Sequence, residues 1–176
     1  MKQAILISIK PKWVEKIVNG EKTIEIRKTM PKCELPIDVY IYCTKEKKRI
    51  ELIKRDLYTD ESTSTIINGK VIASFRLTQV AEINIDDKKV QEQACLTETE
   101  LHDYLYSGNS HNKNIKKCYA WHIDWVFLLD KPKKISEFKT RHYPQFAGLV
   151  KNKTHYELRQ LTKAPQSWCY VEVEYD

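Results

Sequence analysis

The first thirty residues change from one hydrophobic periodicity to another. Ala4 to Ile9 is an apolar run rich in isoleucine, which predicts a strand. Pro11 suits the first turn of a helix, where a missing N–H leaves no bond unmade. Apolar residues then recur at three- and four-residue spacing: Trp13, Val14, Ile17 and Val18. Asn19-Gly20 ends this helix, since glycine adopts the left-handed conformation easily, and the alternation from Thr23 to Arg27 predicts a half-buried strand.

Most later apolar segments read as strands. The predicted strands are Ile37–Cys43, which is central and buried, Val71–Val80, Tyr119–Leu129 and Trp168–Tyr175. A helix is predicted over Cys95–Ser107, with Thr97 as its N-cap and Glu100 completing a capping box. Together these elements predict an α+β fold, a small mixed β-barrel with flanking helices.

The remaining segments have weaker patterns. Asp56–Asn68 is rich in Ser and Thr and predicts a loop, and Lys133–Phe138 predicts one helical turn capped by Ser136. Residues 139–163 have little periodicity, and a helix over Thr154–Leu161 is the interpretation there.

Length and composition set the class of protein. The chain has 176 residues, of which 41% are apolar, so the sequence predicts one domain over residues 1–176 with an insertion at about 139–161. The formal net charge of +6 is compatible with binding a polyanion, and equally with a merely lysine-rich surface.

Cysteine usage and the amino terminus predict a cytoplasmic protein without a membrane partner. The five cysteines include no CxxC pair, which argues against a zinc knuckle or a disulfide framework. The apolar run that ends at Ile9 is too short for a signal peptide or a membrane span. The histidines are dispersed and no Gly-rich phosphate loop is present, so we expect neither a metal nor another cofactor.

The segment around the second strand contains the first candidate site. Alternation places Thr23, Glu25 and Arg27 on one face, and Lys22 with Ile24 and Ile26 on the other. The Glu25 and Arg27 side chains can therefore meet, either as an ordinary surface ion pair or as part of a site. A partly buried lysine can also act as a base or nucleophile, which makes Lys22 and Glu25 the catalytic candidates if the protein is an enzyme.

Basic residues surround the first helix. Lys10, Lys12 and Lys22 bracket it, and Trp13 lies beside them. This patch could seat a phosphate and a stacked base. The alternative is that Trp13 belongs to the hydrophobic core, which is the commoner fate of an aromatic residue at helical spacing.

Two further groups are candidate ligand contacts. On the strand Tyr119–Leu129, one face carries Trp121 and Trp125 and the other carries His122, which could line a pocket or be structural. Ser167 and Trp168 lie where a loop enters the last strand. Ser167 can donate its hydroxyl there, although the position is also an ordinary loop-to-strand junction.

The segment SIKPKWVEKIVNGEKTIEIRK resembles the opening motif of the ASCH domain, whose hallmark is G-x-K-x-x-E-x-R. Gly20, Lys22, Glu25 and Arg27 match that pattern in full. CLTETELHDYL, YAWHIDWVFLLDKPKKISEF and LTKAPQSWCYVEVE are similar to later parts of the longer ASCH proteins of bacteria and phages. The resemblance implies a PUA-like fold, with RNA, a nucleotide or a modified nucleoside as the ligand, and Lys22, Glu25 and Arg27 facing it.

The resemblance also implies an alternative, since some small relatives are amidohydrolases that remove acetyl from the exocyclic amine of acetylcytidine. Their catalytic lysine corresponds to Lys22, but their threonine is Glu25 here. Their glutamate falls near Ala94, with Glu92 the closest carboxylate. Other relatives are described as ribonucleases. We therefore expect a module that binds RNA or a nucleotide through a basic cleft, and keep a hydrolase of a modified nucleoside or of RNA as the alternative.

Overall fold

The computed structural model describes residues 1–47, 49–55, 62–106, 117–143 and 156–174. Its chain divides into two units, and each is described by itself. The first unit comprises Met1–Pro11, Val39–Ser74 and Leu128–Asp176, and the second comprises Lys12–Asp38 and Phe75–Phe127.

Twelve strands, three α-helices and one short 3-10 helix are defined within the described residues. In chain order they are β1 (Lys2–Ile9), α1 (Pro11–Val18), β2 (Ile24–Arg27), β3 (Ile37–Cys43), β4 (Glu51–Arg55), β5 (Ser62–Ile66), β6 (Val71–Leu77), β7 (Val80–Glu82), α2 (Lys88–Ala94), α3 (Glu98–Tyr106), β8 (Tyr119–His122), β9 (Asp124–Lys133), the 3-10 helix (Ile135–Glu137), β10 (Lys139–His142), β11 (Glu157–Gln160) and β12 (Trp168–Val173).

The largest sheet has seven strands in the order β11-β10-β12-β1-β3-β6-β9. Strand β1 pairs with β3 in parallel and with β12 in antiparallel fashion, and β10 pairs antiparallel with both β11 and β12. One hydrophobic cluster of the first unit combines Phe138, which follows the 3-10 helix, with buried residues from strands of this sheet: Ala4, Leu6, Tyr40, Tyr42, Val71 and Val171. Strands β4 and β5 form a separate two-stranded antiparallel sheet.

The second unit is organised around the three-stranded sheet β2-β8-β7, in which β8 pairs antiparallel with both neighbours. One face of this sheet packs with α2 and α3 in a core that contains Ile24, Ile26, Ala94, Leu101, Leu105, Cys118 and Ala120. Because Ile24 and Ile26 point into this core, Glu25 and Arg27 point to the opposite face.

The order and type predicted for the first three elements are confirmed, but β2 is buried on both faces and not half-buried as predicted. Helix α1 ends at Val18, and Gly20 has a φ of +76°, which a glycine adopts at little cost. Strand β2 then runs to Arg27. The predicted central strand Ile37–Cys43 has the same bounds in the structure and pairs with β1 inside the large sheet.

Two predicted long strands are interrupted in the structure. The strand predicted over Val71–Val80 ends at Leu77, and the one predicted over Tyr119–Leu129 is interrupted after His122. Trp125 has a φ of 45°, which is left-handed and breaks the alternation of faces. Trp125 is therefore 70% exposed, whereas Trp121 is fully buried, and the two do not share a face as predicted.

Other predictions are wrong, two of them because strand pairing outweighed the local sequence pattern. Ser62–Ile66 lies in the predicted loop but forms β5 against β4. Glu157–Gln160 lies in the predicted helix but forms β11 against β10, while residues 154 and 155 lie outside the described residues. The 3-10 helix is preceded by Lys134, whose backbone N–H donates to Glu137 at 2.6 Å, so Ser136 is not its cap. The insertion and the single domain stay predictions.

The predicted capping box of α3 is present. The Glu100 backbone N–H donates to the Thr97 hydroxyl oxygen at 3.1 Å, and the Thr97 backbone N–H donates to the Glu100 carboxylate at 3.0 Å. Lys12 donates to the same carboxylate at 3.2 Å. Helix α3 is therefore anchored at its first turn, which fixes the buried Leu101 and Leu105 in the core.

Thr97→Ala removes the hydroxyl that accepts from Glu100 and should lower the free energy of unfolding by about 1 kcal/mol, within a range of about 0.5–2. Thr99→Ala is the matched control, because Thr99 is exposed within the same turn. Chemical denaturation of the two variants measures the difference, and equal stabilities would contradict the capping role.

Candidate functional site

Three charged side chains are buried together in the second unit. Lys22, Glu25 and Arg27 are 2%, 8% and 8% exposed. The Lys22 Nζ lies 3.3 Å from Glu25 Oε2, and the Arg27 terminal nitrogen lies 3.1 Å from Glu25 Oε1. One carboxylate thus bridges two cations, so the cluster has a formal charge of +1 and is not a solvated surface pair.

The turn between α1 and β2 sets the direction of Lys22. The backbone N–H groups of Glu21 and Lys22 both donate to the Lys16 carbonyl, at 2.9 and 3.1 Å. Because β2 begins only at Ile24, strand alternation does not apply to Lys22. The sequence placed Lys22 on the face opposite Glu25, and the structure corrects this, since the ammonium reaches the Glu25 carboxylate.

Lys22 also completes the carboxyl end of α2. A helix leaves its last four carbonyls without helical partners. Here the Gln91 and Glu92 carbonyls accept from the backbone N–H groups of Leu96 and Cys95. The last two carbonyls accept from residues that immediately precede β2. The Gln93 carbonyl accepts from the Thr23 backbone N–H at 2.9 Å, and the Ala94 carbonyl accepts from the Lys22 ammonium at 2.7 Å. The ammonium therefore satisfies a carbonyl and neutralises the negative end of the helix.

Glu25 is buried because its strand neighbour is a large aromatic residue. Glu25 pairs with Trp121 across β2 and β8, and directly opposite residues lie on the same face of a sheet. Trp121 is fully buried and donates its indole N–H to the Thr29 carbonyl at 3.2 Å. The indole therefore covers the carboxylate. Because the ring is fully buried, it has no exposed face on which a base could stack.

Two lysine–aromatic pairs lie close to the buried charges. The Trp13 ring has the Lys12 ammonium 4.0 Å and the Lys22 ammonium 5.4 Å from its centroid, and the Tyr104 ring has the Lys28 ammonium at 5.1 Å. Lys12 is 59% exposed along its side chain, and both rings are half-buried. Cations and π faces are thereby presented next to each other.

Tyr104 belongs to the same electrostatic environment. Burial raises the pKa of its phenol above the ordinary value, the Arg27 guanidinium opposes this rise, and the Glu25 carboxylate adds to it. The phenol is therefore protonated at neutral pH and can donate a hydrogen bond. The spacing of Tyr104 from Leu101 and Leu105 indicates only that it lies on the apolar face of a helix, so the sequence gives no sign of this role.

His122 lies on the other face of the sheet. It pairs with Ile24 in β2, and its backbone N–H donates to the Gln79 carbonyl at 3.0 Å. Since Ile24 points into the helical core, His122 does not point to the face of Glu25 and Arg27.

Three predicted residues belong to the first unit. Lys10 is exposed. The Ser167 carbonyl accepts from the Ser8 backbone N–H at 2.9 Å, and the Trp168 ring packs edge-to-face with Tyr170 at 5.4 Å between centroids. The structure thus brings Lys12, Lys22, Glu25 and Arg27 together within the second unit, while Ser167 and Trp168 have structural contacts in the first.

The described residues contain neither a candidate metal site nor a candidate membrane-spanning helix. Within the described ranges, no three His, Cys, Asp or Glu side chains gather in a group that could hold a metal ion. None of the helices in those same ranges is both long and apolar enough to cross a membrane.

Comparison with known proteins gives a family match and several similar solved structures. The family model described as the ASCH domain matches residues 7–129. One similar solved structure is ASCH from Zymomonas mobilis, which has 18% sequence identity, a TM-score of 0.56 and an alignment that covers 96% of this chain and 87% of that one. A second is a tyrosine-to-phenylalanine mutant of that protein, which has 17% identity, a TM-score of 0.59 and an alignment that covers 97% of this chain and 91% of that one. At this identity the likeness shows the fold, and the predicted α+β, PUA-like class is confirmed. No curated protein matches the chain.

Glu25→Ala should leave two buried cations without their shared carboxylate and lower the free energy of unfolding by about 3–5 kcal/mol. Glu21→Ala is the control, because the Glu21–Lys16 pair is exposed and surface pairs contribute little. Thermal and urea denaturation compare the variants. A Glu25→Ala protein as stable as Glu21→Ala would show that the bridge has no structural role.

Proposed function

The chain belongs to the ASCH domain family, and we propose that it binds RNA or a nucleotide through the cluster formed by Lys12, Trp13, Lys22, Glu25, Arg27, Lys28 and Tyr104. The observation that carries this proposal is the bridging of Lys22 and Arg27 by the buried Glu25 carboxylate. It holds an arginine in a fixed orientation beside two lysine–aromatic pairs.

Each part of this cluster suits a nucleotide. The planar guanidinium of Arg27 can bind a phosphate through two parallel hydrogen bonds, and its pairing with Glu25 reduces the entropy lost when it does so. Lys12 and Lys28 add charge that attracts the phosphate backbone. The Trp13 and Tyr104 rings can stack on bases, which every base permits because each has a π face.

The alternative is hydrolysis, and the surroundings of Lys22 argue against it. The ammonium donates to the Ala94 carbonyl at 2.7 Å and lies 3.3 Å from the Glu25 carboxylate. To act as a nucleophile it would have to lose a proton, and the neutral amine would no longer compensate the Glu25 charge or the negative end of α2. Of the two catalytic partners implied by the resemblance, the threonine is replaced by Glu25, and the glutamate falls near Ala94 with Glu92 as the closest carboxylate.

Lys12→Gln should weaken binding of single-stranded RNA and make it less sensitive to salt. If Lys12 contacts one phosphate, the slope of log K against log salt should fall in magnitude by about 0.7. Lys16→Gln is the matched control, because Lys16 lies on the same helix and is likewise paired with a surface glutamate but does not belong to the cluster. Fluorescence anisotropy over a series of salt concentrations gives both slopes.

A second variant, Arg27→Lys, tests the contribution of the guanidinium in the same salt series. It keeps the charge but removes the planar fork, so binding should weaken while the salt slope changes little. Identical affinities and slopes for wild type, Lys12→Gln and Arg27→Lys would exclude the cluster as the site.

Incubation with acetylcytidine should release no cytidine above the buffer rate, because Lys22 is committed to two acceptors. Chromatography of the nucleosides measures the product over time. Turnover by the wild type that disappears in a folded Lys22→Gln variant, as judged by circular dichroism, would replace the binding proposal with an amidohydrolase.

A further inference from the structure

A pocket lies in the first unit, on the strands β1, β10 and β12. Its volume is about 170 Å³, and its lining includes Gln3, Arg141, Tyr143, Tyr170 and Glu172. Neither the ASCH motif nor the cluster around Arg27 includes any of these residues.

Strand register explains why these side chains meet. Glu172 pairs with Gln3 of β1 on one side and with Lys139 of β10 on the other. Tyr170 precedes Glu172 by two residues and Arg141 follows Lys139 by two, so alternation places them on the same face. The neighbouring Val171 points the other way, into the hydrophobic cluster of the first unit.

The floor of the pocket is a buried carboxylate held by an arginine. Glu172 is 5% exposed, and its Oε1 lies 2.6 Å from the Arg141 Nε. Arg141 in turn stacks on the Tyr156 ring, 4.6 Å from the centroid, and hydrogen-bonds to Tyr143. Because the pair has no formal net charge, this pocket does not favour a phosphate as the main ligand.

Tyrosines form the side of the site that is open to solvent. Tyr143 and Tyr156 are 42% and 40% exposed and pack edge-to-face, with 6.0 Å between their centroids. Tyr170 is half-buried in the lining. Exposed rings beside a pocket provide flat surfaces for a planar ligand, and aromatic residues at such positions stack on unpaired bases.

We propose that this pocket binds a nucleobase that bears an exocyclic amine, stacked on Tyr143 and donating to the Glu172 carboxylate. A glutamate accepts from the amine of cytosine in this way, while uracil has a carbonyl there, which the carboxylate repels. The base can belong to a free nucleoside or to an unpaired residue of RNA. This pocket is independent of the cluster around Arg27, because the two share no residue.

Cytidine and uridine are the matched probes, since they differ at the group that would face Glu172. Ligand-detected NMR with the full chain should show binding of cytidine in preference to uridine, and Tyr143→Leu should weaken cytidine binding by about tenfold. Tyr106→Leu is the matched control, because Tyr106 is 43% exposed on α3. Glu172→Gln, which keeps the shape but can also donate, should bring the two affinities together.

The same measurements with oligocytidylate and oligouridylate separate the two sources of the base. Binding of both the nucleoside and the oligomer identifies a nucleoside pocket, and binding of the oligomer alone identifies an RNA-borne base. Equal binding of the cytosine and uracil probes by the wild type, binding of neither, or unchanged binding by Tyr143→Leu would overturn the proposal. Failure of the Arg27 cluster has a separate signature, which is a salt slope unaffected by Lys12→Gln.

Discussion

The second unit depends on one carboxylate placed between two buried cations. Without Glu25, Lys22 and Arg27 would repel each other in a poorly solvated environment, and burying an unpaired charge costs several kcal/mol. With Glu25 in place, the ammonium can reach the last carbonyl of α2. The contact ties the turn after α1 to a helix 72 residues later in the chain. The charge pattern on β2 therefore supports a contact between the turn after α1 and the carboxyl end of α2, which are distant in the chain.

This junction gives a physical meaning to the spacing of the G-x-K-x-x-E-x-R motif. Gly20 ends α1 with a positive φ. The turn that follows leaves Lys22 before the start of the strand, so the alternation of strand faces does not apply to it and its side chain reaches α2. The strand begins at Ile24, so Glu25 and Arg27 share the face away from the helical core. Moving the lysine by one residue would take its ammonium away from the carboxyl end of α2, and moving the glutamate would bury its carboxylate among Ile24 and Ile26.

Features with a local cause could be predicted from the sequence, and features with a distant cause could not. Gly20 and the Thr97 capping box depend on neighbours within a few residues, and both were predicted correctly. Helix α2 was missed because its sequence KKVQEQA is short and offers only Val90 and Ala94 as apolar contacts. The burial of Glu25 was uncertain because it depends on Trp121, which arrives from another strand. The left-handed Trp125 has no sequence signal that distinguishes it from an ordinary strand residue.

Each unit contains a buried glutamate that orients an arginine, and the two arginines differ in exposure and in their neighbours. Arg27 is 9% exposed along its side chain and lies among lysines, whereas Arg141 is 34% exposed and stacks on a tyrosine. Apolar residues of similar volume often replace a buried ion pair with no loss of stability, so the burial of these pairs is not explained by stability alone. The charged groups also fix the orientation of hydrogen-bond donors and acceptors. A guanidinium and a carboxylate held at fixed positions present donors and acceptors that a planar, hydrogen-bonding ligand can match, and an apolar core cannot.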